Sequence, residues 1–175
     1  MKRKLSLNPL ISPVPNILVT TGDMEKSNII TIGWTGIICS VPPRVYISVQ
    51  PSRYSYGILN ETKEFTINLV PKNLIKAARY CGSHSGRDYD KFKETGLTKV
   101  KADKVACPLI EECPVNLECK VFETMDLGTH RMYMADVVAV HADEKYIGDN
   151  TLKLEDMELT CCIPNGKQGY VVKLD

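Results

Sequence analysis

The stretch Asn28–Arg44 says most about the fold, and it reads Asn-Ile-Ile-Thr-Ile-Gly-Trp-Thr-Gly-Ile-Ile-Cys-Ser-Val-Pro-Pro-Arg. Its β-branched residues predict a strand over Ser27–Ile32. Gly33 and Gly36 flank Trp34, the single tryptophan of the chain. Glycines inside a strand pattern indicate a bend where another group approaches the backbone closely. The stretch therefore predicts a strand that leads into a slot suited to a flat ring.

A polar turn follows the next predicted strand and suits an anion. Val45–Val49 alternates apolar and polar side chains, as a half-buried strand does. The segment Gln50–Ser55 then supplies an arginine, hydroxyl groups and backbone N–H groups where a helix over Tyr54–Thr62 is predicted to begin. A helix start carries partial positive charge and unpaired donors, which favour a phosphate. The alternative is an ordinary surface helix start capped by a serine.

Short strands dominate the rest of the chain. Those predicted from alternation and β-branched content are Asn16–Thr21, Glu64–Leu69, Val115–Thr124, Met132–Ala142 and Tyr170–Leu174. One more helix is predicted over Leu74–Cys81, with Asn73 as its N-cap and Gly82 as its stop. A single helical turn is predicted over Asp90–Thr95, closed by Gly96. Many short strands with a few helices predict a mainly β fold, a β-barrel with a few covering helices. Residues 143–169 match no pattern that we can interpret.

Composition limits the classes of protein that the chain can belong to. Its 175 residues suit one domain, over residues 1–175, with a sizeable core. Lys and Arg number 22 against 21 Asp and Glu, a net charge of +1, so no basic field attracts nucleic acid or anionic lipid. No apolar run approaches the ~18 residues of a membrane span, and prolines interrupt the segment after the basic N-terminus. We expect a cytoplasmic protein that binds neither nucleic acid nor membrane.

The chain has seven cysteines, an odd number in a chain with no visible secretion signal. A disulfide framework is therefore not expected. No Cys-x-x-Cys pair occurs, and Cys107, Cys113 and Cys119 recur at six-residue intervals, which is not a usual zinc spacing. We expect buried thiols in a reducing compartment, with a metal site as the alternative. No metal ligands are assigned.

A second polar cluster runs from Cys81 to Phe92 and places serines, a histidine, an arginine and a lysine around two glycines. Such a loop can close over a ligand, with Lys91 neutralising a phosphate, or it can be a solvated connection. His130 is either a structural donor or a group at a site. No nucleophile set, metal set or Gly-rich phosphate motif has convincing spacing. If the protein is an enzyme, a cofactor is therefore expected to carry its chemistry.

These clusters, in this order, resemble the flavin reductase-like, FMN-binding split-barrel family, which includes the flavoredoxins. The resemblance covers roughly residues 14–142, and its pieces are Pro15–Thr21, Asn28–Trp34, Cys39–Ser48, Arg53–Ser55, Glu64–Asn68, Cys81–Gly86, Asp90–Phe92 and Gly128–His130. It implies a split barrel that holds FMN noncovalently at the interface of a homodimer. It also implies an oxidoreductase that passes electrons from NADH or NADPH through flavin to free flavin, a protein or a metal complex. The alternatives are a flavoredoxin-type electron carrier without its own NAD(P)H activity, or a non-catalytic FMN-binding dimer.

The resemblance also assigns residues to the cofactor site. Those implied to bind FMN are Asn28, Thr31, Ile32, Gly33, Trp34, Cys39, Ser40, Ser48, Gln50, Arg53, Tyr54, Ser55, Ser83, Ser85 and Lys91. Thr31 to Trp34 would line the ring, and the residues from Ser48 to Ser55 would hold the phosphate end. His130 would lie on the nicotinamide side. Thr129 stands where the family pattern has an aspartate, and no catalytic residue is assigned.

Overall fold

A computed structural model describes residues 1–149, 151–163 and 167–171, with backbone only for residues 163 and 167–171. Its strands are β1 (Val14–Pro15), β2 (Ile17–Gly22), β3 (Ser27–Ile32), β4 (Thr35–Cys39), β5 (Arg44–Val49), β6 (Glu64–Leu69), β7 (Lys99–Val100), β8 (Leu109–Ile110), β9 (Val115–Asp126), β10 (Arg131–Ala142), β11 (Thr160–Ile163) and β12 (Lys167–Val171). Its α-helices are α1 (Tyr54–Thr62), α2 (Ile75–Ser83) and α3 (Lys91–Thr95), with 3-10 turns at Lys72–Leu74, Glu144–Tyr146 and Leu154–Met157. The prediction of a mainly β fold with a few helices is confirmed.

An antiparallel sheet of seven strands forms the body of the molecule, in the order β3-β2-β6-β9-β10-β5-β4. The sheet curls into a half-barrel. The two longest strands, β9 and β10, pair over their whole length, with register shifts at Met134/Ala135 and Val137/Ala139. Such irregularities bend a strand pair and increase its twist. The curled sheet therefore has an inner face that can enclose a core.

The core lies inside this curl and consists of side chains from nearly every strand of the sheet. Ile17, Ile47, Phe65 and Tyr133 are almost completely buried there. A second cluster, centred on Leu18 and Ile29, packs the other face of β2 and β3 against α2 and α3. Because both faces of β3 are buried, this strand is fixed between the barrel and the helices, and its end is a rigid place for a site.

A small second sheet, in the order β1-β11-β12, joins distant parts of the chain. Val14 pairs with Cys162 and Pro15 with Cys161. Gly33, at the end of β3, packs against this sheet. A Cβ at position 33 would lie 3.0 Å from Val14 Cγ2 and 3.9 Å from Cys162 Cβ. The second sheet therefore backs the bend that follows β3.

Several predicted boundaries are confirmed, and one helix start was wrong. Ser27–Ile32, Glu64–Leu69 and α1 have the predicted bounds, and Asp90 caps α3 by accepting a hydrogen bond from Lys93 N. Asn73, however, is not the N-cap of α2. It lies in a 3-10 turn, and α2 begins after Leu74 with no side-chain cap.

Gly82 does not end α2 either. The helix runs on through Ser83, whose hydroxyl donates to Arg79 O at 2.8 Å, and His84 N donates to Tyr80 O. The helix therefore ends two residues past the predicted end at Cys81. The polar cluster after α2 therefore starts from a well-ordered helix terminus.

Five strands were not predicted from the sequence: β4, β11 and the two-residue strands β1, β7 and β8. β4 lies at the edge of the large sheet and pairs with β5, although the glycines around Trp34 suggested only a bend. β11 falls within residues 143–169, for which the sequence predicted nothing. The predicted last strand, Tyr170–Leu174, overlaps β12 only at Tyr170–Val171, because β12 begins earlier, at Lys167, at the edge of the small sheet. Its residues 172–174 lie outside the described part of the chain.

The cysteines are free thiols, as expected, and all except Cys39 are buried. Burial raises the pKa of Cys81 to about 11 and that of Cys107 to about 12. These thiols are therefore protonated and poorly nucleophilic at neutral pH. Among the described residues, no helix is both long and apolar enough to span a membrane.

Candidate functional site

Two clefts meet at Arg53 and form one continuous groove beside β3. The first, here called the anion cleft, is lined by Asn28, Ile30, Ser52, Arg53, Tyr54, Cys81, Gly82, Ser83, His84, Ser85, Gly86, Arg87 and Lys91. The second, the ring cleft, is lined by Ile30, Thr31, Ile32, Gly33, Trp34, Ser48, Val49, Gln50, Arg53 and His130. Each has a volume of about 160 Å³. Ile30 and Arg53 belong to both clefts, so one elongated ligand can occupy the two.

The start of α1 faces the anion cleft with its backbone donors uncapped. Arg53 is the N-cap residue, and no side chain forms a capping hydrogen bond there. The serine-capped alternative from the sequence is therefore wrong. The first turn also carries no acidic side chain. Open N–H groups and the positive end of the helix dipole together favour an anion at this point.

Cationic side chains surround the same cleft, and no carboxylate lines it among the described residues. The guanidinium of Arg53 has no hydrogen-bond partner in the described part of the chain. Arg87 Nη1 donates to Ser52 O at 3.1 Å, and the Arg87 guanidinium lies 5.7 Å from the centre of the Tyr54 ring. Two arginines on one side of an uncapped helix start fit the geometry of a phosphate group.

Lys91 forms part of the wall of the anion cleft, and only 4% of the residue is exposed. Its Nζ donates to Ile29 O at 2.8 Å and to Cys81 O at 2.7 Å. An ammonium has three N–H donors, so one remains for a group in the cleft. Burial lowers the pKa of Lys91; the nearby Cys81 opposes this change and Arg53 adds to it. Lys91 thus ties β3 to α2 and also faces the anion cleft.

Asn28 and Gly86 bring the walls of the anion cleft together. Asn28 Nδ2 donates to Ser55 Oγ at 2.7 Å, and Thr21 Oγ1 donates to the same hydroxyl at 3.4 Å. The backbone of Gly86 lies against Asn28 and Tyr54 with no room for a side chain. The connection after α2 therefore packs on the start of α1 through a glycine, which holds the cleft narrow.

The ring cleft is built from the backbone of the β3 bend and two facing rings. The rings of Trp34 and His130 have centroids 4.4 Å apart, with their planes at 31°. Ser48 N donates to Trp34 O at 2.9 Å, which fixes the bend against β5. Thr31 Oγ1 donates to Ala78 O at 2.5 Å, which fixes the cleft against α2. A flat ligand here meets small residues and backbone on one side and aromatic rings on another.

His130 lines this cleft together with Trp34 and Arg53. Thr129 Oγ1 lies 2.9 Å from His130 Nδ1. The hydroxyl of Thr129 therefore contacts the imidazole at the position where the family pattern has an aspartate. Burial, and secondarily the charge of Arg53, lowers the pKa of His130. The imidazole is therefore neutral at neutral pH and can donate or accept one hydrogen bond.

The structure brings most of the predicted site residues to the groove. Those that line it are Asn28, Thr31, Ile32, Gly33, Trp34, Ser48, Gln50, Arg53, Tyr54, Ser83, Ser85, Lys91 and His130. Cys39, Ser40 and Ser55 do not line it. Cys39 Sγ donates to Val41 O at 3.2 Å in the turn after β4, and Ser40 is exposed beside it. Ser55 is fully buried and supports the groove from beneath through Asn28.

The sequence did not assign eight residues that line the groove, which are Ile30, Val49, Ser52, Cys81, Gly82, His84, Gly86 and Arg87. Two of these are Gly86 and Arg87. Both belong to the polar cluster after α2, so the cluster itself was a signal. What it could not show is that this connection returns to the start of α1, where Arg87 reaches Ser52. Arg87 also donates its backbone N–H to Ser85 Oγ at 3.2 Å, which shapes the turn.

A separate cluster of Asp103, Glu118 and His141 lies away from the groove, with one potential ligand atom from each residue within 4.8 Å of the others. The Glu118 carboxylate is completely buried and accepts backbone N–H groups from Asp103, Lys104 and Val105. His141 Nε2 lies 2.6 Å from Glu118 Oε1. Because these donors already occupy the carboxylate, the cluster holds the loop before β8 in place.

Comparison with known proteins identifies the family of the chain. A model of the flavin reductase like domain matches residues 11–155. The flavoredoxin of Desulfovibrio vulgaris (Miyazaki F) superposes with a TM-score of 0.92 and 30% identity, over 100% of this chain and 95% of that one. The flavoredoxin of Methanosarcina acetivorans superposes with a TM-score of 0.88 and 26% identity, over 99% and 94%. The FMN reductase (NADH) RutF of Escherichia coli (strain SE11) is 22% identical over 134 residues, 72% of this chain and 80% of its own. The predicted split barrel is confirmed, and the chain belongs to the flavin reductase-like family.

Proposed function

We propose that the protein is a flavoprotein oxidoreductase that binds FMN noncovalently in the groove formed by the two clefts. The observation that carries this proposal is the order of features along the groove. A ring-sized slot beside Trp34 leads, through Arg53, to a cation-lined and uncapped helix start. FMN has the same order of parts: a flat ring, a polyol chain and a phosphate.

The residues present fit this cofactor. Arg53, Arg87 and the first turn of α1 would hold the phosphate, with Lys91 supplying its remaining N–H. Ser83 and Ser85 stand at the rim with hydroxyl groups. Gly86 can approach Asn28 and Tyr54 this closely only because position 86 has no side chain. The backbone of Thr31 to Gly33 would line the ring edge.

FMN, when bound, supplies the electron-accepting ring for hydride transfer, so the protein needs no nucleophile or metal of its own. The task of the chain is then to orient two flat rings and to exclude water between them. Trp34 and His130 stand at the open side of the ring cleft and would position a nicotinamide from NADH or NADPH. The neutral imidazole adds no positive charge beside Arg53.

Homodimer formation is part of the proposal, with β4 as its contact surface. β4 is an edge strand of the large sheet and continues directly from Trp34. Ile37 is 82% exposed and Val41 87% exposed, and Ile38 lies beside them. An exposed apolar edge next to a ligand site is suited to a second copy of the chain. Sedimentation should show a dimer, and Ile37→Glu should shift it to the monomer.

FMN binding can be tested directly because Trp34 is the single tryptophan and lies in the ring cleft. Titration with FMN should quench its fluorescence, and the purified holoprotein should show a flavin spectrum. Reduction is then tested by anaerobic mixing with NADH and, separately, NADPH. Bleaching of the flavin band with one of them supports a reductase. The absence of FMN binding would overturn the proposal as a whole.

A flavoredoxin-type electron carrier is the second candidate, favoured by the similarity to two flavoredoxins. Such a protein would bind FMN and keep it oxidised in the presence of NADH or NADPH until a donor protein was added. Steady-state oxidation of NAD(P)H with excess FMN identifies the reductase, because the carrier and a non-catalytic FMN-binding dimer would both show none. Reduction of the bound FMN by a donor protein then separates the carrier from the non-catalytic dimer. The free, mostly buried thiols support a reducing compartment such as the cytoplasm.

A further inference from the structure

The turn that joins β9 to β10 carries His130 to the ring cleft, and the backbone of this turn is fixed at both sides. Leu127 N donates to His130 O at 2.8 Å, which closes the turn. Arg131 donates to the Asp126 carboxylate through Nε at 2.6 Å and through Nη2 at 2.9 Å, and its Nη1 donates to Asn60 Oδ1 at 3.2 Å. These bonds tie the turn to itself and to α1. The position of the imidazole therefore depends on the contacts of its own side chain.

Two contacts hold the imidazole of His130. Trp34 packs on its face, with ring centroids 4.4 Å apart and planes at 31°. At the edge of the ring, Thr129 Oγ1 lies within hydrogen-bond distance of Nδ1, at 2.9 Å. Nε2 has no hydrogen-bond partner in the part of the chain that the structure describes. Because Thr129 engages Nδ1, Nε2 is the ring nitrogen that remains for a ligand of the ring cleft.

Thr129 engages the imidazole without adding a charge. A hydroxyl can donate and accept, so it can hydrogen-bond Nδ1 of a neutral imidazole, whereas a carboxylate can only accept and favours the imidazolium. The other charges nearby do not favour the imidazolium. Arg53, at the start of α1, lowers the pKa of His130 in addition to the larger effect of burial. Asp126 and Arg131, on either side of the turn, are paired with each other.

We infer that Thr129 is a positioning residue, which directs Nε2 of a neutral His130 to the carboxamide of a nicotinamide in the ring cleft. The inference rests on the proposed function, because it takes a nicotinamide dinucleotide as the electron donor. A carboxamide carries an acceptor oxygen and a donor NH₂ in one plane. An Nε2 that is held in one tautomer bonds only one of these two groups, and so selects one orientation of the nicotinamide ring. Hydride transfer requires such a fixed orientation.

Thr129→Val tests the inference, because it removes the hydroxyl and keeps the branched shape at an exposed position. The positive φ of this turn belongs to Gly128, so the backbone at position 129 tolerates the change. Thr129→Ser keeps the hydroxyl and is the matched control. Thr129→Asp replaces the hydroxyl by a charge. Imidazole ¹⁵N shifts, recorded by NMR on the FMN-free proteins, report the tautomer and the pKa of His130 without any cofactor or donor.

The second measurement is anaerobic reduction of the FMN-loaded proteins at increasing NADH and, separately, NADPH. It gives the limiting rate and the affinity for the donor as two quantities. Quenching of Trp34 fluorescence gives the affinity for FMN. A residue that acts only on the stability of the turn would leave the tautomer unchanged, so the two measurements together separate positioning from a structural role.

One tautomer of His130 should predominate in the wild type and in Thr129→Ser, and Thr129→Val should show a mixture. Thr129→Val should also lower the limiting rate by about tenfold or more, with the affinity for FMN within about twofold and the wild-type rate kept by Thr129→Ser. Thr129→Asp should raise the pKa of His130, because a carboxylate beside Nδ1 stabilises the imidazolium.

The inference is overturned if Thr129→Val keeps the tautomer of the wild type, or if its limiting rate equals that of the wild type although the tautomer has changed. It is also overturned if Thr129→Ser is as slow as Thr129→Val. A wild type whose bound FMN is reduced by neither NADH nor NADPH would instead overturn the proposed reductase, and with it the ligand named here. The NMR comparison would still decide whether Thr129 sets the tautomer of His130.

Discussion

Gly86 lies so close to Asn28 that a Cβ at position 86 would be 2.1 Å from Asn28 Oδ1. It would also be 2.6 Å from Tyr54 Cδ1, so the contact joins the connection after α2, the strand β3 and the start of α1. Backbone, amide and ring meet here without space for one methyl group. The width of the anion cleft depends on this contact.

Gly86→Ala should therefore widen the anion cleft and weaken phosphate binding. Overpacking costs about 1–3 kcal/mol, and we expect a similar fall in the free energy of unfolding. FMN affinity should fall by about tenfold or more, since the displaced Asn28 no longer faces the cleft. Gly57→Ala, the same substitution in open space, should keep the FMN affinity of the wild type. Equal affinities in the two variants would contradict the role given to Gly86.

Arg53→Ala should remove a charged donor from the phosphate. Hydrogen bonds to charged groups contribute about 1.5–3 kcal/mol, so FMN affinity should fall by roughly 10- to 150-fold. Riboflavin lacks the phosphate, and its affinity should change little. Arg3→Ala, in the exposed segment before β1, is the control. If Arg53→Ala weakens FMN and riboflavin equally, Arg53 does not contact the phosphate.

The imidazole of His130 should respond to the same substitution. Burial, and then the charge of Arg53, lowers the pKa of His130. Removing that charge leaves burial alone, so in Arg53→Ala the pKa should move up, part of the way to its ordinary value of about 6.5. Titration of the imidazole protons by NMR would measure the change. An unchanged His130 pKa would show that the two side chains do not interact.

Glu118→Gln should destabilise the fold at neutral pH and reduce its sensitivity to acid. Burial by itself raises the pKa of Glu118, but the backbone N–H of Asp103, His141 and the N–H of Lys104 outweigh it, and the net pKa is lowered. A lowered carboxyl pKa contributes stability above its unfolded value, about 4.3, which is lost as the pH falls through the folded value.

At pH 7 the variant should therefore unfold at lower urea concentration, with a loss of about 1–3 kcal/mol. Towards pH 3 the difference from the wild type should shrink, because the protonated carboxyl resembles the amide. Denaturation curves at both pH values measure this. A difference that stays constant from pH 7 to pH 3 would show that the charge of Glu118 has no part in holding the loop.

The ring cleft was predictable because it is encoded locally. Strand β3, Gly33 and Trp34 are consecutive in the sequence, and the alternating β5 follows after β4 and one turn. The helix α1 was also predicted with its observed bounds, since the polar turn before it and the residues inside it agree. The anion cleft depends more on tertiary structure. Arg87 reaches Ser52 across 35 positions of the chain, and no local pattern indicates that approach.

The predicted site residues that do not line the groove show the same limit of prediction from local sequence. Cys39 and Ser40 follow the site in sequence, but β4 carries them along the sheet edge and away from the clefts. Ser55 has the expected position in the helix, but its hydroxyl points to the Asn28 amide beneath the surface. The place of a residue in a motif predicted which part of the fold it lies in. The direction of its side chain depends on contacts with other elements, which the motif does not show.

The contact of Gly33 with Val14 and Cys162 has a consequence for the order in which the molecule is completed. Chains are synthesised from the N-terminus, and early segments can fold before later ones emerge. All residues that line the anion cleft precede position 92, whereas the support behind the ring cleft requires β11. A nascent chain that ends before β11 therefore has every residue of the phosphate end, but its ring end lacks a back wall. The ring end of the groove is thus finished last, when residues almost 150 positions apart come together.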